Sequence, residues 1–199
     1  QFIKPGTTVI DVGANIGFFS RRFARWVGPG GRVIAIEPEP ANFAGLKRTV
    51  SRDGLEAVVE SIEGAAAEAG GTLRLELNAA QPTDHKLGDS GIAVNAFTVD
   101  EILRLRGWPN VSLCKIDVQG AEERVLRGMT QTLEKFRPAL FVEVESGPHA
   151  ESLLSFLSQR RYRPRCLGRD GVSAPLAPAQ ALALSREAGY LDFLFLADG

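Results

Sequence analysis

Three acidic side chains each stand at the end of an apolar run. Asp11 comes directly after such a run, Glu37 closes the run 32–36, and Asp117 lies near the end of the run 112–118. In open α/β sheets, ligands bind in the crevice outside the carboxyl ends of the strands. A carboxylate there can bind a cationic group, accept hydroxyl hydrogen bonds or remove a proton. The spacing therefore predicts a ligand cleft at one edge of a sheet.

The turn after the first run indicates which ligand this cleft takes. Its sequence is Asp11-Val-Gly13-Ala-Asn15-Ile-Gly17. A dinucleotide site needs the pattern G-x-G-x-x-G, whose second glycine lets the backbone approach a pyrophosphate. Counted from Gly13, the second and third glycine positions hold Asn15 and Phe18. The pattern disfavours a diphosphate and favours a cofactor without phosphate groups, such as S-adenosylmethionine.

Four segments together resemble the FkbM-like family of class I S-adenosylmethionine-dependent methyltransferases, and the resemblance covers nearly the whole chain. They are Asp11-Val-Gly-Ala-Asn-Ile-Gly17, Ile36-Glu-Pro-Glu-Pro40, Lys115-Ile-Asp-Val-Gln-Gly-Ala-Glu122 and Phe141-Val-Glu-Val144. The resemblance implies methylation of a hydroxyl oxygen on a small molecule, such as a sugar or a polyketide-like metabolite. The chain departs from the family at Gln119, where the family usually has Glu.

The candidate cofactor-binding residues follow the first three strands. Asp11 is predicted to meet the ammonium group of the methionine part, directly or through water, and Glu37 to hold the ribose diol. Gly13 and Gly17 keep the turn open, with Asn15 between them. For Glu63 and Ala65, after the third strand, the resemblance implies contact with adenine. The alternatives are that Asp11 caps the following turn, that Glu37 is a solvated strand end and that Glu63 is a loop acid. Glu39 is expected to be exposed.

The candidate catalytic residues are Asp117, Glu143 and His85. If Asp117 and Glu143 end neighbouring strands, both face the methyl acceptor. Desolvation or the like charge then makes one of them a better base, or the pair holds a divalent cation, although no metal-binding spacing supports this. The alternatives are that Asp117 caps the helix starting near Ala121 and that Glu143 pairs with an arginine. A loop histidine such as His85 or His149 is a general base or simply solvated.

Composition limits the partners. The 199 residues suit one domain, 1–199, which lacks an upstream segment if the chain is a piece of a longer protein. The charges of the 23 basic and 24 acidic residues nearly cancel, so binding to nucleic acid or to a membrane surface is not expected. The expected partner is a small-molecule acceptor. Cys114 and Cys166 form neither a disulfide framework nor a metal-binding spacing, which favours the cytoplasm. The oligomeric state is not predicted.

The elements that position these residues alternate between strands and helices. Unbroken apolar runs predict strands at 8–12, 32–36, 58–62, 112–118, 139–144 and 191–196. Helical spacing predicts helices over 16–27, 43–50 and 121–133. This order predicts a doubly wound, mostly parallel α/β sheet. The resemblance implies the Rossmann-like class I methyltransferase type, with an antiparallel C-terminal strand.

Two segments interrupt this rhythm. The alternating segment 72–77 predicts an inserted hairpin, and 81–95 is predicted to be a polar loop that covers the acceptor. Segment 167–189 has little patterning.

Two rival functions stay open at this point. A nicotinamide-dependent oxidoreductase is disfavoured by the missing glycines. A non-catalytic domain that binds the cofactor or a partner is compatible with Gln119.

Overall fold

The computed structural model describes residues 2–78, 86–168 and 171–198. The helices in these ranges are α1 Phe18–Val27, α2 Pro40–Arg52, α3 Val99–Arg104, α4 Glu122–Arg127, α5 Thr130–Phe136, α6 Pro148–Gln159 and α7 Pro178–Ala188. The strands are β1 Thr8–Val12, β2 Arg32–Glu37, β3 Val59–Glu63, β4 Ala65–Ala66, β5 Gly71–Glu76, β6 Lys86–Gly88, β7 Ile92–Phe97, β8 Val111–Ile116, β9 Ala139–Glu145, β10 Tyr162–Gly168, β11 Gly171–Val172 and β12 Tyr190–Ala197.

The larger sheet in the described ranges has the strand order β11-β10-β12-β9-β8-β1-β2-β3. The strands from β9 to β3 run parallel, and β12 and β10 extend the sheet in antiparallel pairing. The predicted mostly parallel sheet with an antiparallel C-terminal strand is confirmed. Because β1 lies between β2 and β8, the chain segments that follow these three strands meet at one edge of the sheet.

Burial on both faces explains why the central strands are mostly apolar. Ile10, Ile34 and Ile116 face one hydrophobic core, whereas Val9, Val33 and Leu113 face a second core on the opposite side. Each face is covered by helices, so a polar residue inside these strands would lose its water contacts. The acids that end the strands are thereby held on a rigid support.

The sequence expectation of one helix over 121–133 is wrong. The structure has α4 and α5, separated at Gly128 and Met129. A Cβ atom on Gly128 would lie 1.9 Å from the carbonyl oxygen of Ala67, so the backbones touch at this point. This long-range contact breaks the helix, and helical spacing alone carries no sign of it.

The expectation of a polar loop over 81–95 is also wrong for its described part. Residues 86–95 contain β6 and most of β7, which pair with β5 in a second sheet of order β4-β7-β5-β6. The predicted hairpin is therefore part of a larger insertion. Likewise, the unpatterned segment 167–189 contains α7, whose small alanine residues gave little hydrophobic periodicity. No helix in the described ranges has both the length and the apolar character that a membrane span requires.

Candidate cofactor and acceptor site

A cleft of about 450 Å³ lies at the carboxyl edge of β1, β2 and β8. Among the residues predicted for the site, the structure brings six to its wall: Gly13, Asn15, Glu37, Ala65, Asp117 and Glu143. The cleft has two sides. The β2 side is formed by Asn15, Glu37, Asn42, Gly64 and Ala65, and the β9 side by Lys115, Asp117, Gln119 and Glu143.

The turn after β1 forms the floor between the two sides. A Cβ atom on Gly13 would lie 1.9 Å from the carbonyl oxygen of Asp117, so only glycine lets this turn pack against the end of β8. Asn15 has a φ of 50°, a left-handed conformation that asparagine tolerates better than most residues. Its side-chain Oδ1 accepts a hydrogen bond of 2.8 Å from the backbone N–H of Ile16. The side chain thus stabilises its own turn.

Glu37 is the central side chain of the β2 side. Its Oε2 accepts from the backbone N–H of Asn15 at 2.8 Å, and its Oε1 accepts from the backbone N–H of Glu39 at 3.0 Å. Burial raises the pKa of Glu37, although these two N–H donors oppose the shift. A carboxylate has more than one acceptor site on each oxygen. The Asn42 side chain is a further hydrogen-bond partner of Glu37. Glu37 is therefore fixed in place and keeps acceptor capacity for a ligand hydroxyl in the cleft.

Two acids near Glu37 are not where the sequence suggested. Glu39 is buried, contrary to expectation, because its carboxylate caps α2 by accepting from the backbone N–H groups of Ala41 and Asn42 at 3.0 and 2.6 Å. Glu63 is exposed and does not line the cleft, because the chain turns at Gly64 and only the following residues face inward. Gly17 also lies off the cleft wall, at the N-terminus of α1.

Asp11 does not reach the cleft wall, so of its two predicted modes of contact with the ammonium group only the one through water stays a prediction. Its side chain is 0% exposed and does not line the cleft. Oδ2 accepts a 2.6 Å hydrogen bond from the Ser20 hydroxyl, and Oδ1 lies 3.7 Å from Nζ of Lys115. Burial raises the pKa of Asp11, and Lys115 and Ser20 oppose the shift. A direct contact between Asp11 and a ligand ammonium is incompatible with this burial.

Lys115 is part of the cleft, although no role was predicted for it from the sequence. The residue is 2% exposed, yet it contributes to the cleft wall. Nζ lies 3.0 Å from Oδ2 of Asp117 and donates to the Gly13 carbonyl oxygen at 3.4 Å. Burial lowers the pKa of Lys115, but the charges of Asp11 and Asp117 outweigh it, so the net shift is upward. The ammonium group therefore stays charged between two carboxylates.

Asp117 and Glu143 are adjacent on the β9 side. β8 and β9 pair in parallel with Ile116 opposite Val142, and Asp117 and Glu143 are the residues that directly follow this last pair. Burial, followed by the charge of Asp117, raises the pKa of Glu143 to about 7. The Gln119 amide donates to Glu143 at 3.4 Å. The two acids thus have different partners. Asp117 forms an ion pair with Lys115, whereas Glu143 accepts from a neutral amide and has a pKa of about 7.

Both alternatives for these acids conflict with the geometry. The N-cap residue of α4 is Ala121, and there is no side-chain hydrogen bond that caps this helix. The loop before α4 is instead held by Glu122, which accepts from the backbone N–H groups of Val118 and Gly120 at 3.2 and 3.1 Å. Within the described part of the chain, Glu143 forms no ion pair with an arginine.

Four residues of the site and its surroundings escaped the sequence analysis: Ser20, Asn42, Lys115 and Asp192. Asp192 lies opposite Glu143 in the antiparallel pair of β12 and β9, and its charge contributes to the raised pKa of Glu143. Only Lys115 had a usable signal, because it precedes Asp117 by two residues and must share its face of the strand. The other three reach the site through folding.

The two histidines differ in what the structure says of them. His85 lies outside the described residues. His149 is exposed in the first turn of α6 and does not line the cleft. Within the described part of the chain, no group of three or more histidine, cysteine, aspartate or glutamate side chains has a metal-binding arrangement.

The sheet order and the position of the cleft are those of a class I methyltransferase. The sequence profile described as "Methyltransferase FkbM domain" matches residues 11–164. The chain belongs to this family of S-adenosylmethionine-dependent methyltransferases.

Two curated relatives and one solved structure are similar to the chain. The 31-O-demethyl-FK506 methyltransferase FkbM of Streptomyces tacrolimicus is 29% identical over 64% of this chain and 61% of its own length. The hexuronic acid methyltransferase AglP of Haloferax volcanii is 29% identical over 76% of this chain and 61% of its own. A crystal structure of methyltransferase FkbM from Methylobacillus flagellatus KT has a TM-score of 0.61 at 18% identity, over 96% of this chain and 43% of that one. The chain thus spans about 61% of the curated relatives.

The β2 side fits S-adenosylmethionine. Glu37 offers a carboxylate acceptor for a ribose hydroxyl, and Gly64, Ala65 and Leu75 form an apolar wall suited to an adenine ring. Lys115 is the basic residue on the wall of the described cleft, and two aspartates already neutralise it. The donor set therefore suits a cofactor without phosphate groups better than a dinucleotide.

Proposed function

We propose that this protein transfers a methyl group from S-adenosylmethionine to a hydroxyl oxygen of a small molecule. The observation that carries the proposal is the pair of adjacent carboxylates on the β9 side, one ion-paired to Lys115 and one with a pKa near 7. Methylation of a hydroxyl requires removal of its proton. A carboxyl group whose pKa is near the working pH is suited to accept that proton.

The two sides of the cleft divide the work. S-adenosylmethionine supplies the electrophilic methyl group when it is bound. Glu37 holds the ribose, and Asn15 and Gly13 shape the turn beneath it. On the β9 side, Glu143 accepts the proton of the acceptor hydroxyl, and Asp117 orients the acceptor by a hydrogen bond. Holding reactants in a near-attack geometry can supply roughly 7–11 kcal/mol of a reaction barrier.

Charge favours one kind of acceptor. Asp117, Glu143 and Asp192 lie together at the β9 side, and their like charges raise the pKa values of Glu143 and Asp192 beyond the effect of burial. The names of the two curated relatives give 31-O-demethyl-FK506 and a hexuronic acid as their acceptors. A carboxylate-bearing acceptor would be repelled by the acids of the β9 side. We therefore infer that the acceptor is an uncharged alcohol, such as a neutral sugar or a polyketide-like molecule.

The test has a binding part and a turnover part. Calorimetry should detect S-adenosylmethionine and its demethylated product binding to the protein, with no binding of NAD. Release of S-adenosylhomocysteine should then be measured across pairs of neutral sugars and the corresponding uronic acids, together with macrolide alcohols. Faster turnover of the neutral member of each pair supports the proposal. Cofactor binding without turnover of any hydroxylated acceptor would favour a non-catalytic binding domain instead.

A further inference from the structure

A buried ammonium group connects the interior of the protein to the β9 side of the cleft. The chain of contacts runs from Ser20 to Asp11 at 2.6 Å, from Asp11 to Lys115 at 3.7 Å, and from Lys115 to Asp117 at 3.0 Å. Ser20 and Asp11 are each 0% exposed, whereas Asp117 is 37% exposed at the cleft. Of these four residues, Lys115 is therefore the one that contacts both the buried Asp11 and the carboxylate at the cleft.

Folding alone does not account for this arrangement. Neutralising Asp11 requires one cation, but Nζ of Lys115 lies closer to Asp117 than to Asp11. A partly exposed aspartate at a cleft has water as an alternative partner and does not need a buried one. The Lys115 ammonium also lies 5.2 Å from the Phe19 ring centre and donates to the Gly13 carbonyl, so several contacts fix its direction.

We propose that Lys115 is a positioning residue for methyl transfer, which holds the Asp117 carboxylate in one orientation at the cleft and balances its charge beside Glu143. The proposal rests on the function proposed above. The ammonium acts through Asp117, while Glu143 remains the group that accepts the proton. A buried ammonium group that is fixed from several directions is suited to this role, because it does not need to reorganise during the reaction.

The charges around Glu143 determine what removal of Lys115 should do. Glu143 is faced by Asp117 after β8, Asp192 on β12, Glu122 on α4 and Glu145 on its own strand. Glu145 is paired with Lys86 of β6 at 3.5 Å. Without the Lys115 ammonium, Asp117 has no recorded cation to balance it in the described chain. Its negative charge then acts on Glu143 undiminished, and the titration midpoint of Glu143 should move upward.

The first variant is Lys115→Met, with the exposed Lys47→Met on α2 as the matched control. The titration of Glu143 is followed in the cofactor-free protein by NMR of ¹³C-labelled carboxyl groups. Lys115→Met should raise the midpoint by roughly one pH unit, the lower end of the shift that a nearby charge produces. With the acceptor identified, kcat should fall roughly 10²-fold, as for a misplacement of about 1 Å, while S-adenosylmethionine affinity stays within a few-fold.

A second variant separates positioning from folding. Lys115→Met leaves Asp11 buried without a cation, and this should lower the melting temperature. The double variant Asp11→Asn with Lys115→Met removes that buried charge, and the asparagine oxygen can still accept from Ser20. Its melting temperature should recover relative to the single variant. If Lys115 positions Asp117, the raised Glu143 midpoint and the low kcat should persist in the double variant.

The outcomes distinguish this inference from the proposed function. A double variant with the wild-type midpoint and wild-type kcat would overturn the positioning role and leave the methyltransferase proposal standing. Failure of the wild type to turn over any hydroxylated acceptor would overturn the proposed function. In that case the NMR midpoint still decides the inference: an unchanged midpoint in both Lys115 variants contradicts it, and a raised one supports the charge coupling.

Discussion

The two sides of the cleft are built in different ways. On the β2 side, Glu37 is fixed by backbone N–H groups from two neighbouring turns, and its partners lie within 22 residues of it in the sequence. On the β9 side, Asp117 after β8, Glu143 on β9 and Asp192 on β12 act on one another through their side-chain charges. The comparison teaches that backbone hydrogen bonds fix the carboxylate on the β2 side, whereas side-chain charges from three strands set the protonation of the acids on the β9 side.

The largest effect should come from the proton acceptor on the β9 side. Glu143→Gln keeps the size and hydrogen-bonding capacity of the side chain but removes its basic form. Turnover should fall by roughly 10²–10⁴, the usual contribution of general acid–base catalysis, with S-adenosylmethionine affinity within a few-fold of wild type. Single-turnover kinetics and calorimetry measure the two quantities. Near-full turnover of this variant on a confirmed acceptor would show that Glu143 is not the base.

The next largest effect should be on affinity and come from the β2 side. Glu37→Gln should weaken S-adenosylmethionine by about 1.5–3 kcal/mol, the range for hydrogen bonds to a charged group, or roughly 10-fold to 150-fold in Kd. Glu63→Gln is the matched control, because Glu63 is exposed and lies off the cleft. Calorimetry on both variants checks this, with thermal melting to verify that the turn at Asn15 is intact. Equal affinities for the two variants would argue against Glu37 as the ribose anchor.

The same contrast explains what could be predicted from the sequence. The positions of β1, β2 and Glu37 follow from local patterns, since an apolar run that ends in an acid identifies a strand and its edge. Burial of Asp11 and Glu39 could not be predicted, because it depends on Ser20 and on the capping of α2. The sequence brought Asp117 and Glu143 together only by assuming the usual strand order. The contribution of Asp192 depends on the register that places it opposite Glu143, and no local pattern specifies that register.

A smaller effect should appear in the pH dependence of turnover. Glu143 accepts a proton only as the carboxylate, and its pKa is near 7. The rate should therefore rise with pH and level off above neutrality. Asp117→Asn removes a negative charge that raises this pKa, so the midpoint should move to lower pH by roughly one unit. Measurement of kcat against pH for both proteins checks the direction. A midpoint that moves upward would contradict the assignment of the titrating group.

The smallest predicted effect concerns Gln119. The Gln119 amide donates to Glu143, and a hydrogen bond to the charged form favours that form. Gln119→Leu removes this donor at similar volume, so the Glu143 midpoint should rise. The shift should be below about one pH unit, because the bond is long at 3.4 Å.

Gln119→Glu should raise the midpoint further, since it replaces the donor by a like charge. The two variants thus form a series at one position, and kcat against pH measures both. If both variants leave the midpoint unchanged, the Gln119 amide does not affect the pKa of Glu143. The left-handed backbone of Gln119, at a φ of 54°, is then the better explanation of this residue in the loop.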